Sequence, residues 1–422
     1  MRILVIGSGG REHAICYSFA RSQRVERIFC APGNAGIASI AECVPIRPEE
    51  IGKLVEFAER ERVDLTFVGG ESALALGIVD EFEKRDLKII GASMSAARLE
   101  ASKAFAKDFM ARHGVPTAKY VSAESASDAI GILTSGHFGD ENSPVVVKAD
   151  GLAAGKGVVV ARDRGEAIRA CEELASLVGD AADTIVLEEF LEGREVSLLM
   201  FVDGSDFILM PPVRDHKRIG EGDTGPNTGG MGTITESDLL TPKQTQQIIQ
   251  EMIEPTLAGC IADGFPFRGI LFLGLMLTDG GAKLLEYNVR FGDPETQAIL
   301  VRLESDLVDV CEAMLDGTLG NTQVKWREGN SACIVLAAEG YPQKPRIGDS
   351  IKGLDDAARV RDVTVFHAGT SLSNEGTYAT SGGRVVGVTA TGDTLADALA
   401  KAYEGTEAIS WTGMQYRRDI GK

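Results

Sequence analysis

The chain opens on an uninterrupted apolar run, Ile3 to Ile6, followed by "REHAICYSFARS", where apolar positions recur at helical spacing. "VERIFC", "DLTFVGG" and "LKIIGAS" repeat the strand-like pattern, with the helix-like "PEEIGKLVEFAERER" among them. This alternation holds through residue 92 or so and predicts a parallel sheet with helices on both faces. The stretch "AARLEASKAFAKDFMAR", residues 96 to 112, predicts one helix stopped by Gly114. The valine runs 145–147 and 158–160 predict a hairpin whose tip holds Gly151, Gly155 and Gly157. There follow a helix near 164 to 178, strands at "TIVLEEFL" and "EVSLLMFVDG", a long polar loop at 214 to 233 and a helix at 241 to 263. "GILFLGLMLTDG" and "AKLLEYNVR" read as an antiparallel pair closed by Asp279-Gly280-Gly281, and "SDLVDVCEAMLDG" as a helix. Beyond Trp326 the chain is β-rich, with one helix at 394 to 404. The expected fold is α/β in three parts. A Rossmann-like domain covers 1–104, a central domain 105–326 with a small subdomain at about 120–190, and a β-rich α+β domain 327–422.

Composition narrows the partners. Of 422 residues, 43 are basic and 62 acidic, a formal charge of −19, which repels nucleic acid and anionic membranes over the surface as a whole. Local lysines and loop amides can still bind a small anion, because salt screens the distant field within about 8–10 Å. Seven cysteines without C-x-x-C spacing suit reduced packing thiols in a cytoplasmic protein. No apolar run is long enough for a membrane span, and no export signal is expected.

The hairpin "VVVKADGLAAGKGVVV" asks what ligand needs so bare a loop. It is no Walker loop: Gly151 and Gly155 enclose three residues, Gly157 follows Lys156, and the loop opens a strand where a Walker loop opens a helix. A lid over a triphosphate, with Lys148 and Lys156 nearby, is one reading, and an ordinary surface hairpin is the other. The first loop, Gly7-Ser8-Gly9-Gly10, fails as a dinucleotide fingerprint. Its third glycine would fall at Glu12, and Phe29-Cys30-Ala31-Pro32 has no acid for a ribose. Its amides, beside Arg11 and His13, can still hold another phosphate. Glu286 and Asn288 stand two apart on one strand and so face one way, hard oxygen donors suited to Mg²⁺. Arg290 shares that face if the strand continues, and Asp293 and Glu295 lie near the same cleft. Arg290 could then stabilise a carboxylate under attack or a moving phosphoryl group, unless it only pairs with Asp293. The polar loop with Asp215, His216, Lys217 and Arg218 reads as an acceptor-substrate wall. His216 is a tempting general base, although a lone histidine is more often structural.

"GSGGREHA", "APGNAG", "LEASKAFAKDF", "VLEEFLEGREVS", "DHKRIGEGDTGPNTGGMG", "LLEYNVRFGDPETQ" and "VFHAGT" occur in register over nearly the whole chain. On these blocks the chain resembles the phosphoribosylamine–glycine ligase family of the ATP-grasp superfamily. The resemblance implies a central ATP-grasp domain whose subdomain is an ATP lid. It implies ATP as substrate, Mg²⁺ or Mn²⁺ as cofactor, and synthesis of glycinamide ribonucleotide from glycine and 5-phosphoribosylamine in purine biosynthesis. It assigns ATP binding to Lys103, Lys148, Gly151, Gly155, Lys156 and Gly157, adenine to the extended edge Glu188, Glu189, Phe190 and Leu191, and ribose to Glu195. Glu286 and Asn288 would hold the metal, with Arg290, Lys148 and Asp293 in catalysis. Gly9, Gly10, Arg11, Gly33, Asn34, Asp215, Lys217 and Arg290 would bind the other substrates. The expected partners are these small molecules, with the chain a monomer or small homo-oligomer. Where many ATP-grasp enzymes have another metal-binding glutamate, this chain has Leu273-Gly274-Leu275-Met276. The family's G-P-E-x-P-L is here Gly69-Gly70-Glu71-Ser72-Ala73-Leu74, without either proline. Three other readings are another ATP-grasp carboxylate–amine ligase, a nicotinamide-dependent oxidoreductase and an inactive ATP-binding protein.

Overall fold

The computed structural model describes residues 1–152, 157–177, 184–373 and 375–422. The first five strands are β1 (Arg2–Gly7), β2 (Arg27–Pro32), β3 (Glu42–Cys43), β4 (Leu65–Val68) and β5 (Ile89–Ile90), and they form a parallel sheet in the order β3-β2-β1-β4-β5. Ile3 to Ile6 are fully buried, as a run apolar on both faces requires under helices on both sides. Those helices are α1 (Gly10–Ala20), α2 (Ile51–Glu61), α3 (Glu71–Ala75) and α4 (Ile78–Glu83).

The single helix expected at 96–112 is two, α5 (Met94–Ala101) and α6 (Lys103–Arg112), broken at Ser102. Ser102 is extended, and its hydroxyl caps α6 by accepting from the Phe105 amide at 3.1 Å. The same hydroxyl donates to Asp150, whose carboxylate also accepts from the Ala104 amide at 2.7 Å. One serine therefore ends a helix, starts the next, and ties both to the root of the glycine hairpin.

The lid sheet holds β6 (Tyr120–Ala123), β7 (Val145–Ala149), β8 (Val158–Ala161) and β9 (Ile185–Glu189) in the order β6-β9-β7-β8, covered by α7 (Ala126–Thr134) and α8 (Arg164–Leu177). Glu188 was expected on an open edge, yet β9 is internal: Glu188 pairs with Tyr120 on one side and Val146 on the other. Among the described residues, the backbone leaves the ladder only at Phe190.

The core strands that follow are β10 (Arg194–Asp203), β11 (Phe207–Leu209), β12 (Val213–Asp215), β13 (Arg218–Gly220), β14 (Thr224–Asn227) and β15 (Gly232–Thr235). The expected loop at 214–233 is thus largely β-structure: β13 and β14 form a local hairpin, while β12 and β15 pair with each other and with β10 and the later strand Asn330–Ala337. Helices α9 (Pro242–Ile248) and α10 (Glu254–Ala262) are joined through a π-helical stretch, Ile249–Ile253, just before Pro255, which lacks an amide donor. Strands β16 (Arg268–Thr278) and β17 (Gly281–Asn288) pair as expected, with a bulge between Gly274 and Leu275. Then come α11 (Glu295–Leu300) and α12 (Leu307–Asp316), the latter ended by Gly317 in a left-handed conformation.

The C-terminal segment contains β18 (Asn330–Ala337), α13 (Leu354–Ala358), β19 (Val363–His367), β20 (Thr370–Leu372), β21 (Tyr378–Thr380), β22 (Arg384–Gly392) and α14 (Leu395–Ala408). It does not stand apart. β18 pairs antiparallel with β15, so one sheet runs β17-β16-β10-β12-β15-β18-β22-β19 through the central and C-terminal parts, with β11 attached to β10. Among the described residues, no helix is long and apolar enough to cross a membrane, and all seven cysteines are free thiols.

Candidate active site

The lid sheet, the β16–β17 pair and the start of α1 face a common cleft with two joined chambers, of about 380 and 860 Å³. Lys148, Glu188, Glu195, Asp215, Lys217 and Glu286 line both. Phe190 and Leu191 line only the larger, whereas Arg11, Lys103, Arg290, Asp293 and Arg384 line only the smaller.

Glu286 stands on β17 directly across from Gly274, a position with no side chain. Among the described residues its carboxylate has no hydrogen bond or close ion pair. Burial raises its pKa, but Lys217, Lys148, Lys103 and Arg290 together outweigh burial and hold it below the ordinary carboxylate value. Asn288 shares its face, with its amide oxygen accepting from Arg290 at 3.0 Å. No trio of His, Cys, Asp or Glu suited to a metal occurs among the described residues. One ionised carboxylate and one amide oxygen, on a face ringed by cations, fit a divalent ion that takes the rest of its shell from phosphate and water.

Lys103, the first residue of α6, donates to the Gly151 carbonyl at 3.2 Å. Lys148 is buried, with its ammonium 2.7 Å from Glu188 and 3.4 Å from the Leu285 carbonyl. It thus points into the cleft. Gly157 closes the hairpin by accepting from Ala149 at 2.8 Å, while Gly155 and Lys156 lie outside the described residues. Glu189 lines the larger chamber, its carboxylate accepting from the Lys119 amide at 2.9 Å. Glu195, exposed at the rim, pairs with Lys217 at 2.6 Å. Burial works against the charge on Lys217, but Glu195 and Glu286 prevail and raise its pKa.

Arg290 lies past the end of β17 but still faces the cleft. Its guanidinium reaches Glu100 at 2.8 Å and Glu71 at 3.2 Å. Arg11 donates to Glu12 at 2.6 Å and to the Phe291 carbonyl at 3.0 Å, with Glu71 at 3.9 Å. The turn that lost both prolines thus still delivers its glutamate between two arginines. Asp293, expected in catalysis, lines the smaller chamber and is paired. Burial raises its pKa, but Arg384 and Arg11 prevail and keep it low, and Arg384 sits 3.3 Å away. Asp215 is the reverse case: burial, then neighbouring Glu295, push its carboxyl well above the usual range, and its Oδ1 has no hydrogen-bond partner among the described residues. Glu295 is pushed up as well, mainly by burial, and accepts from Ser197 at 3.2 Å.

Gly9 and Gly10 bring the start of α1 against Asp293 and Gln297, where any Cβ would crowd those side chains. Gly33 and Asn34 are committed to the fold. A Cβ on Gly33 would strike Cys43, and Asn34 donates to the Ser8 and His367 carbonyls at 2.8 Å and accepts from the Gly36 and Ile37 amides. The Asn34 side chain therefore has no donor left for a ligand. His13, expected beside a phosphate at the Gly7–Gly10 loop, instead accepts from the His367 amide at 2.8 Å, and burial drives its pKa to about 3. His216 is buried, its Nδ1 bonded to the Gly232 carbonyl and its Nε2 accepting from the Gly421 amide; burial foremost lowers its pKa to about 4. It is a structural histidine. Sequence reasoning gave no role to Glu100, Lys107, Ser197 or Arg384. Glu100 and Lys107 lay inside a recognised block, whereas Arg384 had no signal, since it enters from a strand over ninety residues beyond Asp293.

A lid sheet and an antiparallel core closing on a lysine- and carboxylate-lined cleft define an ATP-grasp enzyme. Residues 101–296 match the phosphoribosylglycinamide synthetase ATP-grasp (A) domain, 1–100 its N domain and 331–422 its C domain. The chain is 49% identical to phosphoribosylamine–glycine ligase of Xanthomonas campestris pv. campestris, covering 100% of this chain and 97% of that protein. It is similar to the crystal structure of phosphoribosylamine–glycine ligase from Thermotoga maritima, with a TM-score of 0.83, 36% identity, and 99% and 100% of the two chains covered. The biotin carboxylase domain of Hydrogenobacter thermophilus 2-oxoglutarate carboxylase shares the fold, at a TM-score of 0.71 and 18% identity over 98% and 91% of the chains. The chain belongs to the phosphoribosylamine–glycine ligase family, the phosphoribosylglycinamide synthetases.

Proposed function

We propose that the cleft joins glycine to 5-phosphoribosylamine at the expense of ATP, giving glycinamide ribonucleotide, ADP and phosphate in purine biosynthesis. The observation that carries the assignment of the reacting centre is the ionised Glu286 ringed by Lys103, Lys148, Lys217 and Arg290. That charge pattern suits a triphosphate and its cation. Adenine is read by the free backbone at Phe190 and Leu191 in the larger chamber, and the ribose by Glu195. The γ-phosphate then reaches the smaller chamber. Glu286 and Asn288 would hold a divalent cation such as Mg²⁺ there, which when bound would neutralise phosphate charge.

A carboxylate is a poor acyl donor. One oxygen of glycine's carboxylate attacks the γ-phosphorus, the bond to the β-phosphate oxygen breaks, and ADP leaves behind glycyl phosphate. The nitrogen of phosphoribosylamine then attacks the carbonyl carbon, phosphate departs with the bonding pair, and the nitrogen loses a proton. Lys103 and Lys148 steady the phosphoryl group, and Arg290 the carboxylate under attack. Asp215, whose buried Oδ1 has no hydrogen-bond partner among the described residues, and Glu295 line the smaller chamber and bind glycine's ammonium. ADP release by the purified protein should require both glycine and freshly made phosphoribosylamine. Release that is indifferent to either compound defeats this function.

The start of α1 and Arg11 hold the ribose phosphate. Arg11→Ala is expected to raise the Michaelis constant for phosphoribosylamine about ten- to a hundredfold, the value of a charge-assisted phosphate contact, and to spare that for ATP. Arg11 also ties α1 to Phe291 and Glu12, so a purely structural role would instead lower the melting temperature and leave all three substrate constants in place. Steady-state kinetics with each substrate varied in turn separates the two.

A further inference from the structure

Glu188 carries more cation than it needs. Its side chain is 2% exposed, with the Lys148 ammonium 2.7 Å from one oxygen and the Lys107 ammonium 3.0 Å from the other. Lys148 and Glu188 belong to the lid sheet and share a face, since Val146 stands opposite Glu188 and Lys148 is two residues further along. Lys107 comes from the core, on α6, one turn beyond Lys103. The two contacts differ in kind. Lys107 is also fixed at its other side, donating at 2.7 Å to the Thr117 hydroxyl, which in turn donates to the Leu284 carbonyl at 2.6 Å. Lys148 has the shorter ion pair but no such second anchor: among the described residues, its other contact is the Leu285 carbonyl at 3.4 Å.

If Lys148 serves the phosphate, as the proposed function requires, it must leave Glu188, and a buried carboxylate stripped of its partner is strongly unfavourable. We propose that Lys107 is a positioning residue, the fixed counter-ion that keeps Glu188 paired and so frees Lys148 to move to the nucleotide. This inference rests on the ATP reading of the cleft. Lys107 itself touches no substrate; it acts through the charge of Glu188.

The test is the Michaelis constant for ATP, with turnover measured beside it, in Lys107→Met, Glu188→Gln and the double variant. Lys107→Met is expected to raise that constant about ten- to a hundredfold, with turnover at saturating ATP within about threefold, because Lys148 is then retained by Glu188. Lys107→Arg, which restores the charge, should recover most of the loss. The double variant should match Glu188→Gln within about threefold, because Lys107 has nothing to offset once the carboxylate is neutral. An unchanged constant in Lys107→Met overturns the proposal. So does a double variant much weaker for ATP than Glu188→Gln, which would mean that Lys107 contacts the nucleotide directly. Should Lys107→Met fail to fold, the comparison of the double variant with Glu188→Gln decides alone. Wild-type protein that binds no ATP overturns both this proposal and the reading beneath it, whereas the other adverse outcomes overturn the proposal only.

Discussion

Replacing Glu286 by alanine is expected to lower turnover by about a hundredfold or more at saturating ATP and divalent cation, with the folded fraction unchanged. Glu286 is the one carboxylate of the centre that lacks a short-range partner among the described residues while four cations hold it ionised. On the proposed function, removing it takes away a metal ligand and leaves Lys103, Lys148 and Lys217 with an uncompensated charge at the proposed phosphate site. Glu286→Gln keeps the shape and should lose nearly as much, because an amide oxygen is a weaker ligand for a hard cation. Lys148→Ala should fall in the same range by removing the charge on the phosphoryl group. Activity within threefold of wild type in Glu286→Ala and Lys148→Ala, with circular dichroism showing intact protein, would place the nucleotide chemistry elsewhere.

Asp215→Asn should weaken glycine by about a hundredfold in Michaelis constant while leaving ATP within threefold, since a buried carboxylate facing an ammonium is worth about 2–5 kcal/mol. In the unliganded protein burial and the neighbouring Glu295 raise the Asp215 carboxyl, and Glu295 is raised too, so the pair tends to retain a proton. An arriving ammonium favours the ionised form and should expel that proton. Calorimetry of glycine binding in buffers of different ionisation enthalpy reads the release directly. If Asp215→Asn binds glycine normally, or no proton leaves on binding, the carboxyl pair has another task.

What the sequence disclosed follows the range of the interactions involved. The alternating strands and helices of the first domain, the valine runs of the glycine hairpin and the common face of Glu286 and Asn288 were legible because each pattern is written within a few neighbouring positions. The break at Ser102 was hidden inside an alanine- and lysine-rich pattern that favours helix on both sides, and only its bonds to Phe105 and Asp150 reveal it. Glu188 read as an edge because nothing local announces that β6 and β7 flank it. The resemblance put Asn34 among the substrate-binding residues, and the two carbonyls that take its amide, of Ser8 and His367, come from both ends of the chain and so could not be read locally. Arg384 was invisible for the same reason: its partners Asp293 and Gly229 lie far upstream.

The ladder between β15 and β18 makes the two halves of the chain complementary templates. A cut within 322–329 would leave β15 as the open border of one fragment and β18 as that of the other, each still supported on its far side by β12 or β22. Each border would present an unsatisfied row of amides and carbonyls whose matching register exists only on the other fragment. Produced separately, the fragments should aggregate through those borders. Produced together, they should find one another by strand addition and regain the reaction, with Arg384 returned to Asp293 although no peptide bond joins the two pieces.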